Sequence, residues 1–321
     1  MKRSYKKYYI IAFSLVFVTG AFIGLWNLAE HRSKIEKSRT RKLPEGSPIM
    51  TLKGFKLEQT DGDKLDWVLS SEHADIYEKP NKHILFSQPR TVVYGDGLAS
   101  NQYTINSKTG TYYIKDDKMD INEEVNIRTP KGFVFLTDNA NYDFAHKKVR
   151  SDDPIKVNGV TDKGDGLFIE GVGLSGLVDT GNFNLSNKIT AGMGENFSVK
   201  SNQADFNTRN NDVLFSGAVS AKKDNLNIKG NKLKLKYSGT AEPSDMEVKG
   251  NVLITIDDRK AICDNALIKA ESNEVILTGK PELYAGKDII VGEKIVFFTD
   301  NDEVYVSRVR ASVSGKGVKK K

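Results

Sequence analysis

The chain has 321 residues, of which 38% are hydrophobic and 28% are charged, and its formal net charge is +6. Residues 1–45 hold ten lysines and arginines against three acidic residues, so the rest of the chain sums to −1. A nearly neutral body lacks the basic character of a nucleic-acid-binding domain. The single cysteine, Cys263, excludes an internal disulfide and a cysteine-based zinc site.

The first predicted element is a membrane anchor at residues 9–29. This run contains no charged residue, and as a helix it spans about 31 Å, enough to cross the core of a bilayer. Tyr9 and Trp26 lie near its ends, where interfacial aromatic residues are expected. The alternative is a cleaved signal peptide, which needs a shorter apolar core and a small-residue cleavage site. The sequence therefore favours an uncleaved helix.

The charges beside this helix do not fix its orientation. Both flanks have a net charge of +4, so the positive-inside rule decides little. The β-rich body that follows favours an exported C-terminal part. We therefore expect a cytoplasmic tail at residues 1–8 and a linker at residues 30–48, followed by a body outside the cytoplasm.

Beyond the linker, one short pattern recurs eight times. A small residue has an apolar residue two positions before it and apolar or small residues three and five positions after it. The steps between successive small residues are 29, 37, 34, 30, 29, 33 and 29 residues. A period near 30 predicts stacked supersecondary units rather than a compact enzyme. These small residues, the anchors, are Ser71, Ser100, Thr137, Gly171, Ser201, Gly230, Cys263 and Gly292.

Each repeat contains two runs in which apolar and polar residues alternate, as in strands with one buried face. Two strands in each of eight repeats predict about sixteen antiparallel strands. The parity of the apolar positions changes after each anchor, which predicts a bend or bulge there. The pattern therefore indicates a twisted double sheet, either an open jelly roll or a β-solenoid.

No pattern of residues predicts catalysis, and no metal or cofactor is expected. The four histidines are scattered, and no pair of them has the spacing of metal ligands on a helix. The acidic pairs at residues 116–117, 152–153 and 257–258 fall between strands, where turn residues are the ordinary interpretation. A calcium site or a carbohydrate-cleaving pair of carboxylates is the alternative.

The remaining candidate site is the interior face of the strands. In a closed sandwich its apolar columns form an ordinary core, whereas in a splayed sandwich they line a trough that shields acyl chains, at about 0.8 kcal/mol per buried methylene. The sequence alone favours plain core. The candidate lipid-lining residues are Leu69, Phe86, Leu98, Phe133, Phe135, Tyr142, Phe168, Ile169, Val199, Phe206, Phe215, Ile228, Leu235, Ile268, Ile290 and Phe297.

The order of these features resembles the bridge proteins of lipopolysaccharide transport in Gram-negative bacteria. The N-terminal part is similar to the LptC type in its single predicted membrane helix and in five short segments. These are GFKLE at 54–58, WVLSSEHA at 67–74, FLTDNANY at 135–142, VRSDDPIKV at 149–157 and GVGL at 171–174. The C-terminal part is similar to the LptA/OstA type in NDVLFSGAV at 211–219, MEVKGNV at 246–252 and EVILTGKP at 274–281. The chain therefore looks like a fusion of the two types.

The resemblance implies two stacked antiparallel β-jelly-rolls after the helix, at residues 49–190 and 191–315, with a basic tail at 316–321. It implies a non-catalytic protein of the inner membrane whose bulk lies in the periplasm and whose interior carries lipopolysaccharide. It also implies two partners, the permeases of an inner-membrane ABC transporter, reached through the N-terminal helix, and another OstA-like jelly roll bound end to end. An open strand edge allows such end-to-end pairing. The candidate edge residues are Gly171, Gly173, Val304, Val306 and Val309.

Two other function classes remain open from the residues alone. A structural β-solenoid of the cell envelope would have the same strands around a solid core. A polysaccharide lyase or hydrolase would use one exposed pair of carboxylates.

Overall fold

The computed structural model describes residues 46–95, 102–159, 166–236, 245–301 and 303–308. Within these residues the chain forms one antiparallel sheet of 22 strands, which confirms the all-β prediction. No helix in these ranges is long and apolar enough to cross a membrane. The predicted anchor helix, the basic tail, and the residues Leu98, Ser100 and Val309 lie outside the described residues.

The strands follow one another along the chain with short connections. Their bounds are β1 Met50–Asp61, β2 Lys64–Tyr77, β3 His83–Ser87, β4 Arg90–Tyr94, β5 Gln102–Asn106, β6 Thr109–Tyr113, β7 Lys118–Arg128, β8 Phe133–Asp143, β9 Lys148–Gly159, β10 Leu167–Leu177, β11 Asn182–Met193, β12 Phe197–Ser201, β13 Gln203–Asn207, β14 Asp212–Lys223, β15 Leu226–Lys236, β16 Asp245–Ile256, β17 Arg259–Lys269, β18 Glu274–Thr278, β19 Glu282–Ala285, β20 Asp288–Val291, β21 Lys294–Phe298 and β22 Val304–Ser307.

The prediction of about sixteen strands is wrong as a count of strands. We call each pass of the chain from one turn to the next a leg. Five legs are each interrupted by a bend and become two short strands: β3 with β4, β5 with β6, β12 with β13, β18 with β19, and β20 with β21. Counting each interrupted leg once turns the 22 strands into 17 legs, sixteen of full length and the short β22. The alternation of apolar and polar residues predicted the legs well. It does not show at which bends the hydrogen-bond ladder between neighbouring legs is interrupted.

Each leg pairs with the leg before it and the leg after it, and the bends divide every leg into two halves. Wall A contains β3, β6, β13, β18, β21 and β22 with the adjoining halves of the long strands. Wall B contains β4, β5, β12, β19 and β20 with the other halves. Contacts between unpaired strands bring the walls together. Phe133 of β8 in wall B, for example, lies 5.9 Å from Phe206 of β13 in wall A, centroid to centroid.

The parity change predicted at the anchors is present. In β15, Leu226 and Ile228 are buried before Gly230, and the buried positions shift to Leu233 and Leu235 after it. The extra residues of the ladder lie on the neighbouring legs rather than on the anchor legs. In β14 and β16, two residues oppose one residue of the adjacent anchor leg, as in a β-bulge.

The two ends of the legs use different turns. In wall B, tight turns such as those at residues 224–225 and 257–258 join successive strands. In wall A, four-residue turns at 114–117, 144–147, 178–181, 208–211 and 270–273 do so. The fourth residue of each wall A turn has a positive φ, and these residues are Asp117, Lys147, Gly181, Asn211 and Asn273.

The hydrophobic residues of both walls form one buried cluster, which runs from Trp67 in β2 to Phe297 in β21. The predicted boundary after residue 190 falls inside β11, which pairs with β10 on one side and with β12 and β13 on the other. The sheet is therefore continuous there, and the division into two jelly rolls stays a prediction.

Candidate functional site

The interior between the walls is the candidate site, and most of the predicted lining residues lie in it. Their side chains are at most 3% exposed, so the two walls close on each other and leave the columns out of contact with solvent. The lining residues found there are Leu69, Phe86, Phe133, Phe135, Tyr142, Ile169, Val199, Phe206, Phe215, Ile228, Leu235, Ile268 and Phe297.

Two predicted lining residues differ from this description. Phe168 is 45% exposed, so its prediction as an interior residue is wrong. Leu167 and Ile169 occupy the inward positions of β10, and alternation turns Phe168 outward. Its ring lies over Gly192, its cross-strand partner in β11. Ile290 is only partly buried and packs against the edge of the core.

The anchors with polar side chains stabilise the bends. Ser71, Ser201 and Cys263 each donate a side-chain hydrogen bond to the carbonyl oxygen two residues later, at 2.6, 2.9 and 3.2 Å. The Ser71 hydroxyl also lies 2.6 Å from the carbonyl oxygen of Ser87 on the next leg. A short side chain that donates back to the backbone is thus what these bends require.

One anchor was missed by the sequence pattern. The Ser107 hydroxyl donates to the Thr109 carbonyl oxygen at 2.9 Å, as the other polar anchors do. Ile105 lies two positions before Ser107, and Gly110 and Tyr112 lie three and five positions after it, so the motif was present in the sequence. The pattern instead selected Ser100, which lies outside the described residues.

Glycine anchors are small because a neighbouring leg approaches closely. A β-carbon at Gly230 would lie 2.7 Å from Cγ1 of Val248, and one at Gly171 would lie 2.7 Å from Cδ1 of Ile189. Neither glycine has a positive φ. Close packing across the bend, rather than backbone conformation, therefore explains these two glycines.

An aromatic cluster braces the walls near the middle of the chain. Phe135 of wall B stacks on Phe183 of wall A at 4.7 Å and meets Phe206 edge-on at 5.4 Å, centroid to centroid. Phe133 and Tyr103 add further contacts to the same two rings. Aromatic pairs of this kind contribute beyond their buried area. These rings therefore stabilise the contact between the two walls at this point.

The walls meet again along a seam, where the wall A turns lie against wall B. The first residue of each four-residue turn is seven positions after an anchor, and in the central turns it points inward. Phe144, Val178 and Thr208 occupy this position and are at most 2% exposed. Their N–H groups donate to the carbonyl oxygens of Asp117, Lys147 and Gly181 in the preceding turns, at 3.1, 2.9 and 2.9 Å. Sequence analysis missed this column, although its spacing from the anchors is regular.

Side chains of wall B contact the wall A turns at three stations, that is, three separate groups of contacts along the seam. At the first, Trp67 lies 4.5 Å from Phe144 and Asp66 forms an ion pair with Lys147 at 2.5 Å. At the second, the hydroxyl groups of Tyr103 and Thr208 are hydrogen-bonded at 3.3 Å.

The third station lies near the C-terminal end of the sheet. Arg259 of wall B donates from Nη1 to the carbonyl oxygens of Phe298 and Asn301, each at 3.2 Å. Its guanidinium also lies over the Phe297 ring, 5.6 Å from the centroid. The seam is therefore closed by side-chain contacts, whereas the opposite side of the body is closed by the continuous chain at the bends.

Both ends of the sheet have strands paired on one side only among the described residues. At the N-terminal end this is β1, whose inward residues Leu52, Phe55 and Leu57 are partly buried. At the C-terminal end these are β20 in wall B and β22 in wall A. Val304 and Val306 lie in β22 and contact the core.

The structure does not place the other two edge candidates at an edge. Gly171 and Gly173 lie in β10, which pairs with β9 on one side and β11 on the other. Their prediction as edge residues is wrong, because a run of small residues looks the same in an interior bend as at a strand end.

Comparisons with known proteins match two successive parts of the chain to two different family models. Residues 13–194 match the family model described as "Lipopolysaccharide-assembly, LptC-related". Residues 198–303 match the model described as "LptA/(LptD N-terminal domain) LPS transport protein". The order of the two matches confirms the resemblance of an LptC-type part followed by an LptA-type part.

A solved structure that resembles the chain is LptH from Pseudomonas aeruginosa, described as the LptA homologous periplasmic component of the conserved lipopolysaccharide transport device. The identity is 18%, the match covers 38% of this chain and 89% of that chain, and the TM-score is 0.33. No curated protein sequence matches the chain.

Proposed function

Because the chain belongs to the LptC-related family of lipopolysaccharide-assembly proteins, we propose that it is a non-catalytic bridge component that carries lipopolysaccharide along its interior. It receives the lipid from an inner-membrane ABC transporter and passes it toward the outer membrane. The predicted N-terminal helix anchors it in the inner membrane, and the body extends into the periplasm of a Gram-negative bacterium.

The observation that carries this proposal is the continuity of the interior. One buried apolar cluster crosses from the LptC-type match into the LptA-type match, which meet between residues 194 and 198. Residues from both matched parts, such as Phe135 and Phe206, touch each other. Acyl chains inside this body would therefore pass from one part to the other without leaving an apolar environment.

The lipid must separate the two walls in order to enter, because the lining columns are buried against each other. Such an exchange replaces contacts between aliphatic and aromatic side chains by contacts with acyl chains, so apolar burial is retained. The headgroup is polar and stays in water. Carriage therefore requires a body that opens along one side, which the seam provides.

The strands at the two ends support an extended bridge. β1 at one end and β20 and β22 at the other offer backbone groups that are unpaired among the described residues. Another OstA-like jelly roll can add to such an edge by strand pairing. The partly buried residues Phe55 and Val306 beside these edges would extend the apolar interior into the partner.

Photo-crosslinking tests the proposed cargo. Benzoylphenylalanine at Phe135, Phe206 or Phe215 should label with lipopolysaccharide, because these positions lie inside the body. Tyr305, which is 59% exposed, is the matched surface control. Labelling at Tyr305 without labelling at the three interior positions contradicts the proposal.

A structural envelope scaffold is the second candidate, and the closed packing of the interior favours it. Such a scaffold binds no lipid, whereas the proposed carrier retains lipopolysaccharide. Native mass spectrometry of the full-length protein in detergent separates the two candidates by the presence or absence of bound lipid.

A further inference from the structure

We propose that the seam is the lateral entrance for acyl chains, and that Asp66 with Lys147 and Trp67 with Phe144 form the latch at its N-terminal end. This inference rests on the proposed function and names the place where the cargo enters. The latch is defined by these four residues.

The first support is the chemistry of the contacts that close the seam. Asp66 and Lys147 keep part of their side chains in water, with 18% and 28% of their side-chain surface exposed. The ion pair holds the seam closed, but when the walls separate both charges regain full hydration together, so opening leaves no unpaired buried charge. The contact of Trp67 with Phe144 is apolar and can be replaced by a contact with an acyl chain.

The second support is a buried hydroxyl beside the latch. The Tyr142 ring lies 4.8 Å from Phe144, centroid to centroid, and its hydroxyl oxygen has no hydrogen-bond partner among the described residues. A buried polar group without a partner destabilises the closed arrangement. Separation of the walls at the latch lets water or a lipid headgroup bind this hydroxyl.

The third support is the difference between the two sides of the body. At the bends the chain itself runs from one wall to the other, and backbone hydrogen bonds join adjacent legs there, such as the bond from Asp264 N–H to the Gly279 carbonyl oxygen at 2.9 Å. At the seam the contacts between the walls come from side chains. An amphipathic lipid can therefore insert its chains through the seam and leave its headgroup outside.

Cross-linking the latch tests the entrance. In a Cys263→Ser background, Asp66→Cys and Lys147→Cys are bridged by a short bifunctional maleimide, and purified lipopolysaccharide is photolabelled through benzoylphenylalanine at Phe135. We expect the bridge to slow labelling about tenfold or more, which corresponds to about 1.4 kcal/mol.

The matched control bridges Asp212→Cys to Lys234→Cys in the same background. This ion pair has a similar length, 3.0 Å, but joins neighbouring strands of one wall, so its bridge leaves the seam free. Labelling should not change. Equal labelling in the protein with the bridged latch shows that the lipid enters elsewhere, and overturns the inference while the carrier function stands. Absence of labelling even in the unbridged protein overturns both.

A second measurement detects opening without any lipid. The chain has two tryptophans, so Trp26→Phe leaves Trp67 as the sole tryptophan, which is excited at a wavelength where tyrosine does not absorb. Asp66→Asn should increase the quenching of Trp67 by acrylamide, Asp212→Asn should not, and the charge swap Asp66→Lys with Lys147→Asp should restore the original quenching. Unchanged quenching in Asp66→Asn shows that the ion pair is not a latch.

Discussion

The single cysteine illustrates how position sets reactivity. Cys263 is 4% exposed, and its thiol donates to the Asn265 carbonyl oxygen. Burial raises the pKa of the Cys263 thiol to about 11. Since the thiolate is the reactive form, the folded protein should resist alkylation at neutral pH. This side chain acts as an anchor and not as a nucleophile.

Alkylation kinetics test this assignment. We expect iodoacetamide to modify the folded chain at pH 8 at least about a hundredfold more slowly than the unfolded chain, whose thiol has an ordinary pKa near 8.5. Cys263→Ser should keep the stability within about 0.5 kcal/mol, because serine fills the same place at Ser71 and Ser201. Similar alkylation rates in the folded and unfolded chains argue against a buried thiol.

The glycine anchors have a different sensitivity. Gly230→Val places methyl groups against Val248, whose Cγ1 already lies 2.7 Å from the position of a β-carbon. Overpacking of this kind should lower the free energy of unfolding by about 1–3 kcal/mol, as measured by urea denaturation. Gly286→Asn is the control, because Gly286 lies in a turn with no atom near and asparagine tolerates its positive φ. An equal loss in both variants contradicts close packing at the anchor.

At the scale of elements, the wall A turns show that one repeat position serves two purposes. The residue seven positions after the anchor is buried in the central turns, as at Phe144, but is 38% exposed at Ile114. Both turns end on a residue with a positive φ, Asp117 in the first case and Lys147 in the second. Whether this side chain closes the seam therefore depends on which side chains of wall B lie opposite it.

Paired alanine substitutions measure that difference. Phe144→Ala should destabilise the protein by about 3–5 kcal/mol, because it removes a buried ring. Ile114→Ala, at the equivalent position, should cost less than about 1 kcal/mol, since exposed substitutions have small effects. Chemical denaturation provides both values. Equal costs would show that the central turns do not seal the body.

At the scale of the whole molecule, the continuous ladder predicts one unfolding unit. β11 pairs on both sides where the two family matches meet, so no weak interface separates the LptC-type part from the LptA-type part. Val149→Ala in the first part and Ile268→Ala in the second should each lower the midpoint of the same cooperative transition. Two transitions that respond separately to these substitutions would indicate two independent domains. Calorimetry distinguishes the outcomes.

The legs, the inward columns and the family could all be inferred from the order of the residues. Alternation and a repeat near 30 residues are local properties, and most of the predicted lining residues are buried as expected. The errors came from local ambiguity: Phe168 is apolar but occupies an outward position of its strand, and Ser107, which also fits the motif, was missed.

The way in which the two walls meet could not be inferred before the fold was known. The ion pair of Asp66 with Lys147 and the contact of Trp67 with Phe144 both join a strand to a turn that is distant in sequence. A period-two pattern states which side of a strand is buried, but it carries no information about which distant leg covers that side. The interior is therefore readable from the chain, while the seam that closes it is a product of folding.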